Sequence, residues 1–63
     1  MENLTAREKE VARLVSLGFN NKQIAKEMFI SVSTVKTNLE HIFEKTNLKN
    51  RVQLAVKYIL ENM

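Results

Sequence analysis

The chain is predicted to be all-α, built from four short helices joined by short loops. Three observations carry this. Polar residues of the helix-capping kind recur four times, each followed by apolar residues at the three- and four-residue spacing of a helix face. Pro is absent and Gly occurs once, at Gly18, so little interrupts the runs between those starts. The connections left between runs are only a few residues long.

Thr5 and Glu8 form the first start signal. The Thr5 side chain would accept from the Glu8 backbone N–H while the Glu8 side chain reaches back, the reciprocal pair of a capping box. Val11, Leu14, Val15 and Gly18 then follow at helical spacing, and Gly18 suits a left-handed stop. The first helix is expected from Ala6 to about Leu17. Asn20 and Gln23 repeat the capping box, with Phe19 stapled onto Ile24. The second helix is expected over Asn21 to Met28, with Ile24, Ala25 and Met28 inward. Ser31 is the third cap, with Ile30 stapled onto Val35. Val32, Val35, Leu39, Ile42 and Phe43 mark one face of a helix reaching about Lys45. Asn50, with Gln53 three residues on, opens the fourth helix, whose expected inner stripe is Val52, Ala55, Val56 and Ile59.

Phe29 and Ile30 alone separate the second helix from the cap of the third. So tight a connection between two amphipathic helices forces a sharp crossing, as in a helix-turn-helix, rather than an antiparallel hairpin.

Sixty-three residues make one domain at most, taken here as 1–63. Such a chain buries only about 60% of its unfolded surface, and a radius of gyration of ~11 Å leaves little room for a deep catalytic cleft. Function is therefore expected on the surface. Ten Lys and Arg face seven Glu and no Asp, a net charge of +3 that is compatible with phosphate binding but does not establish it. There is no Cys and a single His, His41, so disulfide frameworks, thiolate zinc sites and Ser-His-Asp arrangements cannot be assembled. No enzyme activity, metal or cofactor is expected. Met1-Glu2-Asn3 has no positive cluster and no long apolar run follows, so neither a signal peptide nor a membrane span is read, and the cytoplasm is the expected location.

The most informative stretch is Ile30 to Asn38. With Val32, Val35, Leu39 and Ile42 inward, about 100° per residue turns Ser33, Thr34, Thr37, Glu40, His41 and Glu44 outward. Lys36 and Asn38 lie on opposite flanks. Small hydroxyls, an amide and one Lys at the start of a helix can donate and accept at base edges and hold phosphate. Recognition helices enter the major groove of DNA with their N-terminal residues leading. Lys36 and Thr37 are therefore expected at base edges, with Ser33, Thr34 and Asn38 toward the backbone. Glu40 also falls on the base-facing side, either accepting from cytosine N4 or repelling phosphate. Asn20, Asn21 and Lys22 begin the second helix, where free backbone N–H groups and the helix dipole favour a phosphate.

Arg51 opens the fourth helix, where its charge opposes the dipole, and an ion pair with Glu8 or Glu10 would explain it better than phosphate binding. Leu54 and Tyr58, four apart, form a ridge on the flank of that helix. The ridge is either extra packing against the first helix or a two-fold dimer contact. A rival reading makes the chain a helical protein-interaction module, gripping an RNA polymerase subunit or partner regulator through Leu54 and Tyr58.

Taken together, these residues resemble the LuxR/FixJ-type helix-turn-helix domain of bacterial transcription regulators. The resemblance rests on Leu4-Thr5, Arg7-Glu8 and Glu10-Val11, then on Gly18, Asn21-Lys22 and Ile24-Ala25. It continues through Ile30-Ser31 and Thr34-Val35-Lys36 to Ile42, Lys45, Leu48, Asn50-Arg51 and Ala55. It implies a four-helix domain whose third helix reads the major groove of double-stranded DNA and whose fourth helix forms a homodimer. Lys36 and Thr37 match its base-contacting positions; Thr34, Asn38 and the Asn20–Lys22 turn match its backbone-contacting ones. Asn38, Glu40, His41 and Thr46 depart from the residues usual there; Glu40 implies a distinct operator sequence, and Thr46, in place of a usual Leu, a looser core edge. Such domains usually follow a phosphorylated receiver or a small-molecule-binding domain, so the chain is either an excised output domain or a small stand-alone regulator.

Overall fold

The computed structural model describes residues 1–63 and contains four helices: α1 (Ala6–Ser16), α2 (Asn21–Met28), α3 (Val32–Thr46) and α4 (Arg51–Glu61). Each begins at the polar residue the spacing predicts. The Thr5 hydroxyl accepts from Glu8 N–H at 3.1 Å while the Glu8 carboxylate accepts from Thr5 N–H at 2.9 Å. Asn20 and Gln23 make the same reciprocal pair, both bonds at 2.8 Å. Ser31 and Asn50 cap α3 and α4, accepting from Thr34 N–H and Gln53 N–H.

α1, α2 and α3 end in left-handed turns. After α1, Gly18 takes φ +88°, and the Phe19 and Gly18 N–H groups fold back onto Leu14 and Val15 carbonyls at 3.1 and 3.0 Å. This doubled closure satisfies two carbonyls that the helix leaves open. α1 thus stops one residue before the expected Leu17. After α2 the same closure recurs, with Ile30 N–H donating to the Ala25 carbonyl at 3.0 Å, but the left-handed residue is Phe29, at φ 57°. α3 runs one residue past the expected Lys45, and Asn47 at φ 58° ends it.

α1 is the hub, packing against each of the other three helices, while α2 packs on α3 and α4 packs on α1 alone. The core is Leu4, Val11, Ala12, Leu14, Val15, Ile24, Ala25, Val35, Leu39, Ile42 and Leu54. Its α1, α2 and α3 members are residues whose spacing predicts them inward, joined by Ala12 and Leu4.

The inner face of α4 differs from the expected one. Val52, Val56 and Ile59 are exposed, Val52 by 71%, and Ala55 is only partly buried. Leu54 is fully buried, with Ala55 and Tyr58 packed partly against the core. The reason is geometric: α1 is the one helix covering α4, so only a narrow stripe at Arg51, Leu54, Ala55 and Tyr58 turns inward. Leu54 packs α4 onto the body of the chain, while Tyr58 is half-buried against it. Leu54 has no surface for a second molecule, which corrects its expected role as a dimer contact.

Arg51 is also placed differently. Its guanidinium donates to Asn21 Oδ1 and to the Phe19 carbonyl, each at 2.7 Å, rather than to Glu8 or Glu10. Glu8 is taken by Lys45 Nζ at 2.7 Å, and Glu10 by Arg13. Glu8 is only 3% exposed. Burial pushes its carboxyl up, but the Lys45 ammonium and the Thr5 N–H and hydroxyl outweigh this and hold it below the ordinary carboxylate range. No helix is long and apolar enough to cross a membrane.

Candidate nucleic-acid interface

The sharp α2–α3 connection is made possible by Phe29. Its left-handed backbone reverses the chain in one residue, Ile30 packs half-buried against the core, and Ser31 immediately caps α3. The end of one helix and the start of the next are thereby fixed by one short segment. The Phe29 side chain is left 95% exposed.

On α3, the buried stripe of Val35, Leu39 and Ile42 leaves Ser33, Lys36, Thr37, Glu40, His41 and Glu44 on open surface. Ser33, Lys36, Thr37 and Glu40 thus lie where the spacing predicts. Thr34 is half-buried, with its hydroxyl 2.9 Å from the Ser31 hydroxyl and its N–H donating to that hydroxyl at 3.0 Å. It stabilises the start of the helix and is less open to a ligand than its neighbours. Asn38 is half-buried too, its amide donating to the Thr34 carbonyl at 2.9 Å. The Thr37 hydroxyl donates to the Ser33 carbonyl at 3.2 Å. Thr37 therefore presents its methyl group and oxygen lone pairs outward rather than its hydrogen.

Asn20, Asn21 and Lys22 gather around a shallow depression with Arg51. Asn20 spends its side-chain oxygen on the cap, and Asn21 spends its own on Arg51. Lys22 is exposed and in no ion pair. Asn21 and Lys22 are the first residues of α2, so their backbone N–H groups have no carbonyl within the helix to bond. Lysine, guanidinium and two open N–H groups make an anion-favouring surface at the start of α2. Sequence reasoning set an ion pair above phosphate binding for Arg51 and missed its place here, because its partners lie 30 and 32 residues away and no local spacing points to them.

The arrangement can therefore do two things. The exposed face of α3 can donate and accept along a row of small side chains, and the start of α2 can hold a phosphate. Nothing in it resembles a nucleophile with its base.

Comparison with known proteins adds the family. The model of "Bacterial regulatory proteins, luxR family" matches residues 2–58. A Mycobacterium bovis protein named as an HTH-type transcriptional regulator is 52% identical over 53 residues, which cover 84% of this chain and 6% of that protein. The monoamine regulon transcriptional regulator of Klebsiella aerogenes is 51% identical over 52 residues, 82% of this chain and 23% of its own length. The oxygen regulatory protein NreC of Staphylococcus carnosus is 43% identical over 58 residues, 92% of this chain and 26% of its own length. The chain thus spans about a quarter or less of these relatives. With a tight α2–α3 turn, an open polar face on α3 and a family match over nearly its whole length, the chain belongs to the luxR family of bacterial regulatory proteins.

Proposed function

We propose that this domain binds double-stranded DNA sequence-specifically in bacterial transcription regulation, with α3 in the major groove. The observation that carries the reading is the exposed α3 face, Ser33, Lys36, Thr37 and Glu40, set directly after a one-residue reversal of the chain. A regulator's domain and not an enzyme, it works by position and charge. Lys36 and Thr37 reach base edges, with Glu40 one turn further along α3. The open N–H groups of Asn21 and Lys22, with the Lys22 ammonium, hold a backbone phosphate. Asn20 and Arg51 shape that turn, while Ser33, Thr34 and Asn38 line the edge of α3 nearest the backbone. Phosphate contacts fix register; base contacts choose sequence.

The domain acts as a pair of copies joined through α4. What supports this is the apolar row Val52, Val56, Ile59 and Leu60, exposed on the side of α4 that α1 does not cover. A two-fold pair would place two α3 helices on half-sites about one helical turn apart. We infer that this domain serves as the output part of a longer regulator in the cytoplasm, with the Phe29 surface available to polymerase or another protein once α3 is on DNA.

Selection of bound duplexes from a random pool tests the reading. An enriched motif of two related half-sites centred about ten base pairs apart supports it. Recovery of no motif, with affinity unchanged between low and high salt, rejects it.

A further inference from the structure

Glu40 is the side chain of the reading face whose charge is wrong for phosphate. It is exposed on α3, three residues after Thr37 and four after Lys36. The carboxylates engaged in ion pairs are Glu8, Glu10 and Glu61; Glu40 is in none, and neither is Lys36. Glu40 is therefore an unspent acceptor. Thr37 is an acceptor as well, because its hydroxyl hydrogen is committed to the Ser33 carbonyl. The middle of the face thus shows two acceptors three residues apart, one of them negative, with one cationic donor beside them.

The major groove offers few groups that can meet an acceptor. Guanine shows only acceptors there, and thymine an acceptor and a methyl group. Adenine pairs its N6 amino group with an acceptor, N7, which a carboxylate repels. Cytosine shows its N4 amino group alone. A carboxylate placed among phosphates with no donor to meet weakens binding, so its position on this face is tolerable only where a cytosine amino group receives it.

Resting on the DNA-binding reading above, we infer that Glu40 is a specificity determinant, selecting cytosine by accepting from its N4 amino group. Lys36, one helical turn earlier, selects guanine through O6 and N7. One turn of helix advances about 5.4 Å, against about 3.4 Å per base-pair step, so the cytosine and guanine fall within one or two steps of each other. Glu40 is exposed and makes no ion pair, so its replacement should leave the fold intact.

The test compares wild type, Glu40→Ala and Glu40→Gln in selection from a random duplex pool. Each protein is then titrated against one selected duplex and its three variants at the cytosine position. Wild type should enrich cytosine there and lose about tenfold in affinity when it is replaced by thymine. Glu40→Ala should bind all four duplexes alike while keeping the guanine preference. Glu40→Gln should move its preference to adenine, whose N6 and N7 an amide meets together. Uniformly tighter binding by Glu40→Ala, with the selected motif unchanged, overturns the inference and makes Glu40 an electrostatic brake. A wild-type motif with no cytosine within two steps of the guanine overturns it as well. If wild type selects no motif at all, the DNA-binding reading falls first and this inference with it.

Discussion

Phe29 shows how much one residue decides. A phenylalanine at φ 57° stands where glycine is the usual occupant, and its ring lies in solvent. Left-handed backbone costs an L-residue about 1–2 kcal/mol, part of which glycine gives back as extra freedom of the unfolded chain. Phe29→Gly should therefore stabilise the domain by about 0.5–1 kcal/mol in urea unfolding; a loss of stability would mean that the ring packs onto the body of the chain. Lys36 and Lys22 separate on a different axis. Lys36→Ala should weaken the preferred duplex by about 1–3 kcal/mol and relax preference at one position, whereas Lys22→Ala should weaken all sequences alike and reduce the salt slope by about one. Titrations on a preferred and a scrambled duplex distinguish the two. Equal losses on both duplexes for Lys36→Ala would remove it from the base-reading set.

Among the elements, α1 carries the stability and α4 the remaining free surface. Glu8 joins α1 to the end of α3 through Lys45, and its carboxyl lies below its ordinary range in the folded chain. The unfolded chain therefore binds the proton more readily, so this contribution is present above the ordinary carboxylate pKa of about 4 and is lost as pH falls through the lower folded value. Glu8→Gln keeps the reciprocal cap but removes the charge, and Lys45 can return to water. Stability at pH 7 should fall by about 1–2 kcal/mol, and the remaining acid-induced loss should be shallower than in wild type. An unchanged acid limb would show that the pair contributes nothing. The helix starts were legible in the sequence because each capping pair spans three residues. The inner face of α4 was not, because Leu54 rather than Val52 turns inward according to where α1 lies. Lys45 with Glu8, 37 residues apart, and Arg51 with Asn21, 30 apart, are likewise products of packing that no periodicity announces. On α3 the exposed Lys36, Thr37 and Glu40 followed directly from the helical period, but the bonds that tie Thr37 and Asn38 back onto their own helix did not.

For the whole molecule, a body of 26 × 21 × 20 Å offers two opposed kinds of surface: a polar ridge at α2–α3 and an apolar row on α4. If the row joins two copies, Val56→Asp should leave each copy folded, since Val56 is exposed, yet shift sedimentation toward the monomer and lower the affinity for a two-half-site duplex at least tenfold. An unchanged sedimentation profile and affinity would place the contact elsewhere. Binding through several phosphates should also give a steep negative slope of log affinity against log salt. The most direct measurement is residue-resolved: backbone amide chemical shifts of the domain, recorded while a selected duplex containing one half-site is added. The account predicts that the largest changes fall on Asn21, Lys22 and Ser33 through Glu40, with the buried face of α1 and the far end of α4 nearly still. Changes concentrated on α1 or α4, with α3 unmoved, would contradict it.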